Sequence, residues 1–215
     1  IENLNFKYHS ESKGLNEVNL DAKENEIVGI IGESGSGKST LINLMLGLMK
    51  PLSGNIRMNE LDIHKNLNNW KDIIGYIPQN IYLTDDTILR NIGFGIEDNK
   101  IDNKKIEKCI ELAELSSFIK NLPQGLNTVV GERGIKISGG ELQRIGIARA
   151  LYKDPKILIL DEATSALDVD TEKNILETIS SLKSNKIIII VSHRNSIFDF
   201  CKKIYEIKNG YVRQK

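Results

Sequence analysis

The stretch GESGSGKS at residues 32–39 constrains this chain more than any other part of it. It satisfies G-x-x-x-x-G-K-[ST] through Gly32, Gly37, Lys38 and Ser39, with Glu33, Ser34, Gly35 and Ser36 in the loop and Thr40 behind it. The continuous apolar run Ile27–Ile31 before it predicts a buried strand, and GKSTLINLMLGLM predicts a helix that ends before Lys50-Pro51. That context is what the motif needs. Glycines let backbone N–H groups curl around phosphate oxygens, and a helix N-terminus adds positive potential. In such a loop Lys38 reaches the β- and γ-phosphates of a nucleotide, and the Ser39 hydroxyl ligates Mg²⁺.

The rest of the chain supplies the alternation that a strand–loop–helix unit requires. Leu4–Tyr8, Val18–Leu20, Gly54–Met58 and Ile74–Ile77 read as strands, followed by a helix in DNKKIEKCIELAEL with Asp102 or Asn103 as cap. A helix from about Gly140, the strand Ile157–Leu160, a helix over Thr171–Leu182, the strand Ile187–Val191 and a strand pair around Lys208-Asn209-Gly210 complete it. The fold class expected is α/β, a P-loop core with a mainly parallel sheet, an antiparallel β subdomain and an inserted helical subdomain. Residues 1–79 and 156–215 form the expected catalytic core, and 80–155 the helical lobe, within one domain of 215 residues.

Charge narrows the partners. Lys plus Arg number 29 and Asp plus Glu number 29, so no global field favours nucleic acid. Cys109 and Cys201 are far apart and lack metal-ligand spacing, which argues for a reducing compartment. The longest aliphatic run, Ile187–Val191, is too short to cross a bilayer.

Four more places carry chemistry. ILILDEATS puts Asp161 and Glu162 at the carboxyl end of an apolar strand, where Asp161 holds Mg²⁺ through water and Glu162 acts as general base. Taken alone, strand-end carboxylates are as often solvated caps. His193 follows the strand Ile187–Val191 and Gln79 follows Ile74–Ile77; each is either a polar contact to phosphate, metal or water, or an ordinary turn residue. ISGGELQR at 137–144 opens a second glycine-rich helix start, with Ser138, Gly139 and Gly140 at its tip.

Together these residues resemble the nucleotide-binding domain of ATP-binding cassette (ABC) transporters, over essentially the whole chain. The P-loop, Gln79 in a Q-loop, ISGGELQR as signature, LILDE, SALD at 165–168 and His193 stand in that family's order. The resemblance implies an ATPase that uses ATP and Mg²⁺, with Ser39, Gln79 and Asp161 at the metal. Lys38, Gln79, Glu162 and His193 would be catalytic. It implies a head-to-tail dimer with two ATP between the subunits, in which Ser138, Gly139 and Gly140 contact a γ-phosphate in trans and Asp168 lies at the seam. Tyr8 would stack on adenine, although a strand-packing aromatic fits the sequence equally. TILRNIGFG at 87–95 and TVVGERG at 128–134 are similar to exporter-type members. There Gln79 and Glu132 would face a transmembrane domain fused upstream of Ile1, at the cytoplasmic face of a bacterial inner membrane. IPQNIYL is similar to flippases of lipid-linked oligosaccharides. With Glu162 and His193 both present, a homodimer is favoured over a heterodimer with one degenerate site.

One position departs from that family's pattern. The signature usually ends in Gln, and here it is Glu141. A carboxylate beside a trans γ-phosphate is unfavourable unless it turns away, and Arg144 stands one turn on. The competing class is a soluble ABC-type ATPase of DNA repair or of the ribosome. No coiled coil separates the P-loop from LILDE, and only one cassette is visible. An unrelated P-loop kinase or GTPase leaves the signature, SALD and His193 unexplained.

Overall fold

A computed structural model describes residues 1–8, 14–131, 137–164, 166–194 and 197–215. Along the chain the strands are β1 (Glu2–Lys7), β2 (Gly14–Val18), β3 (Glu26–Gly32), β4 (Ser53–Asn55), β5 (Arg57–Met58), β6 (Leu61–Asp62) and β7 (Ile74–Ile77). They continue as β8 (Asp86–Thr87), β9 (Val129–Val130), β10 (Ile157–Asp161), β11 (Ile187–Val191), β12 (Lys203–Lys208) and β13 (Tyr211–Gln214). The helices are α1 (Lys38–Met45), α2 (Leu67–Asp72), α3 (Ile88–Ile92), α4 (Asn103–Leu112), α5 (Ser116–Lys120), α6 (Gly139–Tyr152) and α7 (Val169–Ser181).

The chain divides into two compact units. The first comprises Ile1–Ile74, Lys156–Asp161 and Lys183–Lys215. Its main sheet runs in the order β13-β12-β3-β11-β10. Strands β12, β3, β11 and β10 are parallel, with Ile189 opposite both Val28 and Ile159, and Tyr205 opposite Ile30. Their aliphatic side chains explain that choice, because a parallel sheet buries both faces and needs near-continuous apolar strands. Val28, Ile30, Leu158 and Ile188 are fully buried. Parallel alignment also brings the carboxyl ends of β3, β10, β11 and β12 to one edge, the edge at which open α/β sheets bind ligands. The terminal hairpin β12–β13 is antiparallel, and its turn places Asn209 and Gly210 at φ 52° and 79°.

A three-stranded antiparallel sheet, β2-β1-β4, belongs to the same unit. The first expected strand is found as β1, whereas the second lies earlier than expected, at Gly14–Val18, with Leu15 and Val18 buried. Gly54–Met58 is not one strand. Ser53–Asn55 pairs with β1, while Arg57–Met58 turns through Asn59 and Glu60, both at positive φ, to pair with β6.

The second unit comprises Gly75–Pro155 and Glu162–Leu182. Helices α3 and α4 pack on α6, and α7 packs on α4. Helix α4 is capped by Asp102, whose carboxylate accepts the N–H groups of Lys104 and Lys105, and it buries Ile106, Cys109 and Ile110. Among the described residues, no helix is long and apolar enough to cross a membrane.

Candidate functional site: a nucleotide cradle and a second anion-binding turn

In the first unit the P-loop leaves the carboxyl end of β3 and enters α1. Gly37 occupies the cap position of α1 at φ 116°, a left-handed conformation that favours glycine, and no side chain caps the helix. The first N–H groups of α1 therefore point out of the helix end without a capping oxygen, which is the arrangement that takes an anion. Ser36 Oγ is buried with no hydrogen-bond partner among the described residues. A cavity of about 130 Å³ lies at the loop, lined by Gly32–Ser36 and Glu206–Asn209. Orphaned hydroxyl, uncapped helix and cavity together fit the phosphates of a nucleotide.

Lys38 is 7% exposed and folds back onto its own loop, donating to Gly32 O at 2.8 Å and Glu33 O at 3.1 Å. Its Nζ also lies 3.2 Å from His193 Nε2. An ammonium can only donate, so this contact requires His193 to offer a lone pair at Nε2 and carry its proton on Nδ1. His193 and Lys38 are thus brought together. Asp161 ends β10 opposite Val191, and Ser192 Oγ accepts the N–H of Arg194 in the turn that carries His193. Tyr8 is 40% exposed; its hydroxyl lies 3.2 Å from Thr40 Oγ1, and its ring meets Phe6 edge-on at 5.0 Å.

In the second unit Gln79 Nε2 donates to Glu162 Oε2 at 2.7 Å, leaving the amide oxygen as the acceptor end of Gln79. Glu162 sits at φ 50°, a left-handed conformation that costs a residue with a Cβ about 1–3 kcal/mol. Ser138 caps α6. Its Oγ accepts the N–H of Glu141 at 3.3 Å, and the Glu141 carboxylate accepts the N–H of Ser138 at 2.8 Å. Glu141 therefore turns to its own helix end and not to Arg144, because the Ser138 N–H is a fixed donor within reach. Asp168 caps α7 by accepting the N–H of Thr171 at 3.0 Å, and that bond holds its carboxyl below the usual carboxylate range. Glu132 and Ser165 lie outside the described residues.

In the second unit three buried polar residues that were not assigned from the sequence have polar partners. Gln143 is 4% exposed and accepts the N–H of Ala166 at 3.1 Å. Glu172 is 2% exposed and accepts the Thr164 hydroxyl at 2.6 Å. Asn91 is fully buried; it donates to Thr84, Asp86 and Thr87 carbonyls and accepts from the Thr84 N–H and from Arg149. The signal for the first two was present in the sequence. Gln143 shares a helical stripe with Ile147 and Ala150, and Glu172 shares one with Ile175, Leu176 and Ile179. A polar residue on an apolar stripe must find a buried partner.

The family model for the ABC transporter matches residues 15–165. The chain belongs to the ABC transporter family. Relatives of this ABC domain include an ATP-dependent lipid A-core flippase of Cupriavidus metallidurans, 37% identical over all of this chain and 37% of the relative. A putative export ATP-binding/permease protein of Rickettsia typhi is 41% identical over 99% of this chain and 37% of its own length. Among solved structures, a bacterial Atm1-family ABC exporter with ATP bound superposes with a TM-score of 0.91 at 36% identity, covering 99% of this chain and 37% of that one. The chain therefore spans little more than a third of each of these relatives. The expected family and the expected P-loop α/β fold are both borne out.

Proposed function

We propose that this domain is the ATP-binding and hydrolysing motor of an exporter or flippase, working as a head-to-tail dimer around two ATP. The observation that carries this is the pairing of two unlike glycine-rich helix starts in one chain. The start of α1 has Lys38 and an orphaned Ser36 hydroxyl, whereas that of α6 offers Ser138, Gly139 and Gly140, with the Glu141 carboxylate bonded to the Ser138 N–H. One nucleotide needs only one such helix start beneath its phosphates, and a second copy of the domain supplies a nucleotide for the other. The fused permeases named among its relatives support a transmembrane partner, reached through the Gln79 and Glu132 regions, at the cytoplasmic face of a membrane. They do not favour the repair or ribosomal class.

In this reading Tyr8 stacks on the base, and the loop from Gly32 to Thr40 wraps the phosphates. Lys38 exchanges Gly32 O and Glu33 O for phosphate oxygens, which releases His193 Nε2 to accept from water or, in the tautomer that carries its proton there, to donate to the γ-phosphate. Ser39, Asp161 and the amide oxygen of Gln79 are hard oxygen donors of the kind Mg²⁺ takes, and they would hold it. When bound, the ion neutralises charge between the β- and γ-phosphates. Glu162 takes a proton from the attacking water once Gln79 lets go of its carboxylate.

Replacing Glu162 tests the reading. Glu162→Gln retains ATP binding, loses at least about 100-fold in steady-state hydrolysis, and accumulates an ATP-bound dimer on size exclusion. Undiminished turnover in that variant rules out Glu162 as the base.

A further inference from the structure

Beyond Glu162 the Leu167 N–H donates to Thr164 O at 3.1 Å, which closes a turn. The residue entering that turn is the strained one, Glu162 at φ 50°. Backbone strain of this kind persists only where the surroundings over-determine it. Buried side chains from two different helices bind the residues that follow Glu162. From α7, the buried Glu172 carboxylate takes the Thr164 hydroxyl at 2.6 Å. From α6, the buried Gln143 amide oxygen takes the Ala166 N–H at 3.1 Å. The start of α6 also lies against the turn: a Cβ built on Gly139 would stand 3.4 Å from Ala166 Cβ, and one on Gly140 3.5 Å from Leu167 Cδ2.

We propose that Gln143 and Glu172 are positioning residues for Glu162: by gripping the 164–167 turn from α6 and α7 they hold the Glu162 backbone in its left-handed conformation and so fix where its carboxylate points. Neither belongs to the residues assigned above to nucleotide or metal. Both are buried polar groups placed on apolar stripes, where an aliphatic residue would pack without needing a partner. Their partners are the hydroxyl and the amide of the turn that follows the base. An extended Glu162 would swing its carboxylate away, and misplacing a catalytic group by about 1 Å costs up to about 100-fold in rate. The inference rests on the proposed ATPase function and adds the residues that aim its base.

The test uses the full-length protein. Thr164→Val and Gln143→Leu each lower kcat for ATP hydrolysis about 10- to 100-fold, while ATP affinity, read from fluorescent-nucleotide titration, stays within about twofold. Glu172→Ala behaves likewise, and Glu172→Gln recovers most of the loss because its amide oxygen still accepts from Thr164. Wild-type kcat in Thr164→Val and Gln143→Leu, or affinity falling in step with kcat, overturns the proposal. A second readout needs no turnover. Amide hydrogen exchange at 163–167 rises in Thr164→Val and Gln143→Leu, and unchanged exchange there also overturns the clamp. A wild-type protein without ATP turnover would instead count against the function, with the exchange experiment still deciding on the clamp.

Discussion

At Glu141 the carboxylate accepts the N–H of Ser138 while Ser138 Oγ accepts the N–H of Glu141, so each residue satisfies a donor the helix cannot. A negative charge there also complements the helix dipole, an effect of about 0.3–1 kcal/mol. Glu141→Gln keeps an acceptor in place but removes that charge. Its stability, measured by urea unfolding, falls by about 0.5 kcal/mol, while ATP-induced dimerisation occurs at lower nucleotide concentration because one repulsion with the trans phosphate is gone. Ser138→Ala shares the loss of stability but has the opposite effect on dimerisation. It loses the cap, about 1 kcal/mol, and weakens dimerisation as well. The charge of Glu141 pointed toward Arg144 in the sequence; its position three residues after Ser138 was the better guide. Lys38 and Ser39 could be singled out because phosphate chemistry ties residue identity to spacing, whereas Asp161 and His193 gained weight only beside that loop and through the resemblance. The contact between Lys38 and His193 was not, since it joins positions 155 apart through the parallel register of β3 and β11.

Helix α6 illustrates how far an element can be read from its pattern. Its start, from Ser138, and its apolar stripe follow from local rules, but what packs on it does not. Gly146 is an example: a Cβ there would stand 2.4 Å from Ile81 Cδ1, so the segment after Gln79 lies directly on the helix. Arg149, on the same helix, reaches Asn91 O at 2.7 Å, Asn91 Oδ1 and Tyr82 O at 2.9 Å, and lies 5.3 Å from the Phe94 ring. Burial lowers the pKa of this guanidinium, whose hydrogen bonds replace the lost water. Truncating its partner strands several groups at once. Asn91→Ala leaves the Thr84 N–H and one arm of Arg149 without their acceptor, and costs about 3 kcal/mol in chemical denaturation. Asn91→Asp, which keeps the acceptor and gains attraction to Arg149 but loses the donors to Thr84, Asp86 and Thr87, costs less. The short strands β4 and β5 were not separable in the sequence, because the chain changes partner at Ile56, from β1 to β6, inside a stretch that looks continuous.

Across the whole molecule, charge is balanced in number but concentrated in effect. In the first unit Glu26 is buried beneath Lys202 at 2.9 Å and Lys203 at 3.4 Å, and Asp21 pairs with Lys203 and the Tyr205 hydroxyl. Hydrogen bonds from Lys202 hold Glu26, and those from Lys203 and Tyr205 hold Asp21, below the usual carboxylate range; the Thr171 N–H does the same for Asp168. A carboxyl whose folded pKa is depressed contributes fully above its unfolded value, about 4, and loses that contribution as pH falls through the folded value. The unfolding temperature is therefore flat on this account from neutral pH down to about pH 5 and declines below about pH 4, measurable by calorimetry across that range. Burial pushes Cys109 up to about 11 and Cys201 to about 12, so neither thiol contributes charge in that window.

Lys38 and the Ser138 turn lie on one chain, yet the proposed head-to-tail pair would put them in opposite nucleotide sites. This has a genetic signature. Co-expressing one copy that carries Lys38→Ala with another that carries Ser138→Arg gathers both lesions into a single site of the mixed dimer and leaves the other whole. Putting both changes in one copy beside a normal partner spoils both sites. Mixed dimers of the first kind, isolated with two different affinity tags, retain hydrolysis that those of the second kind lack. Allelic complementation thus reports which helix end serves which nucleotide, without any view of the bound state.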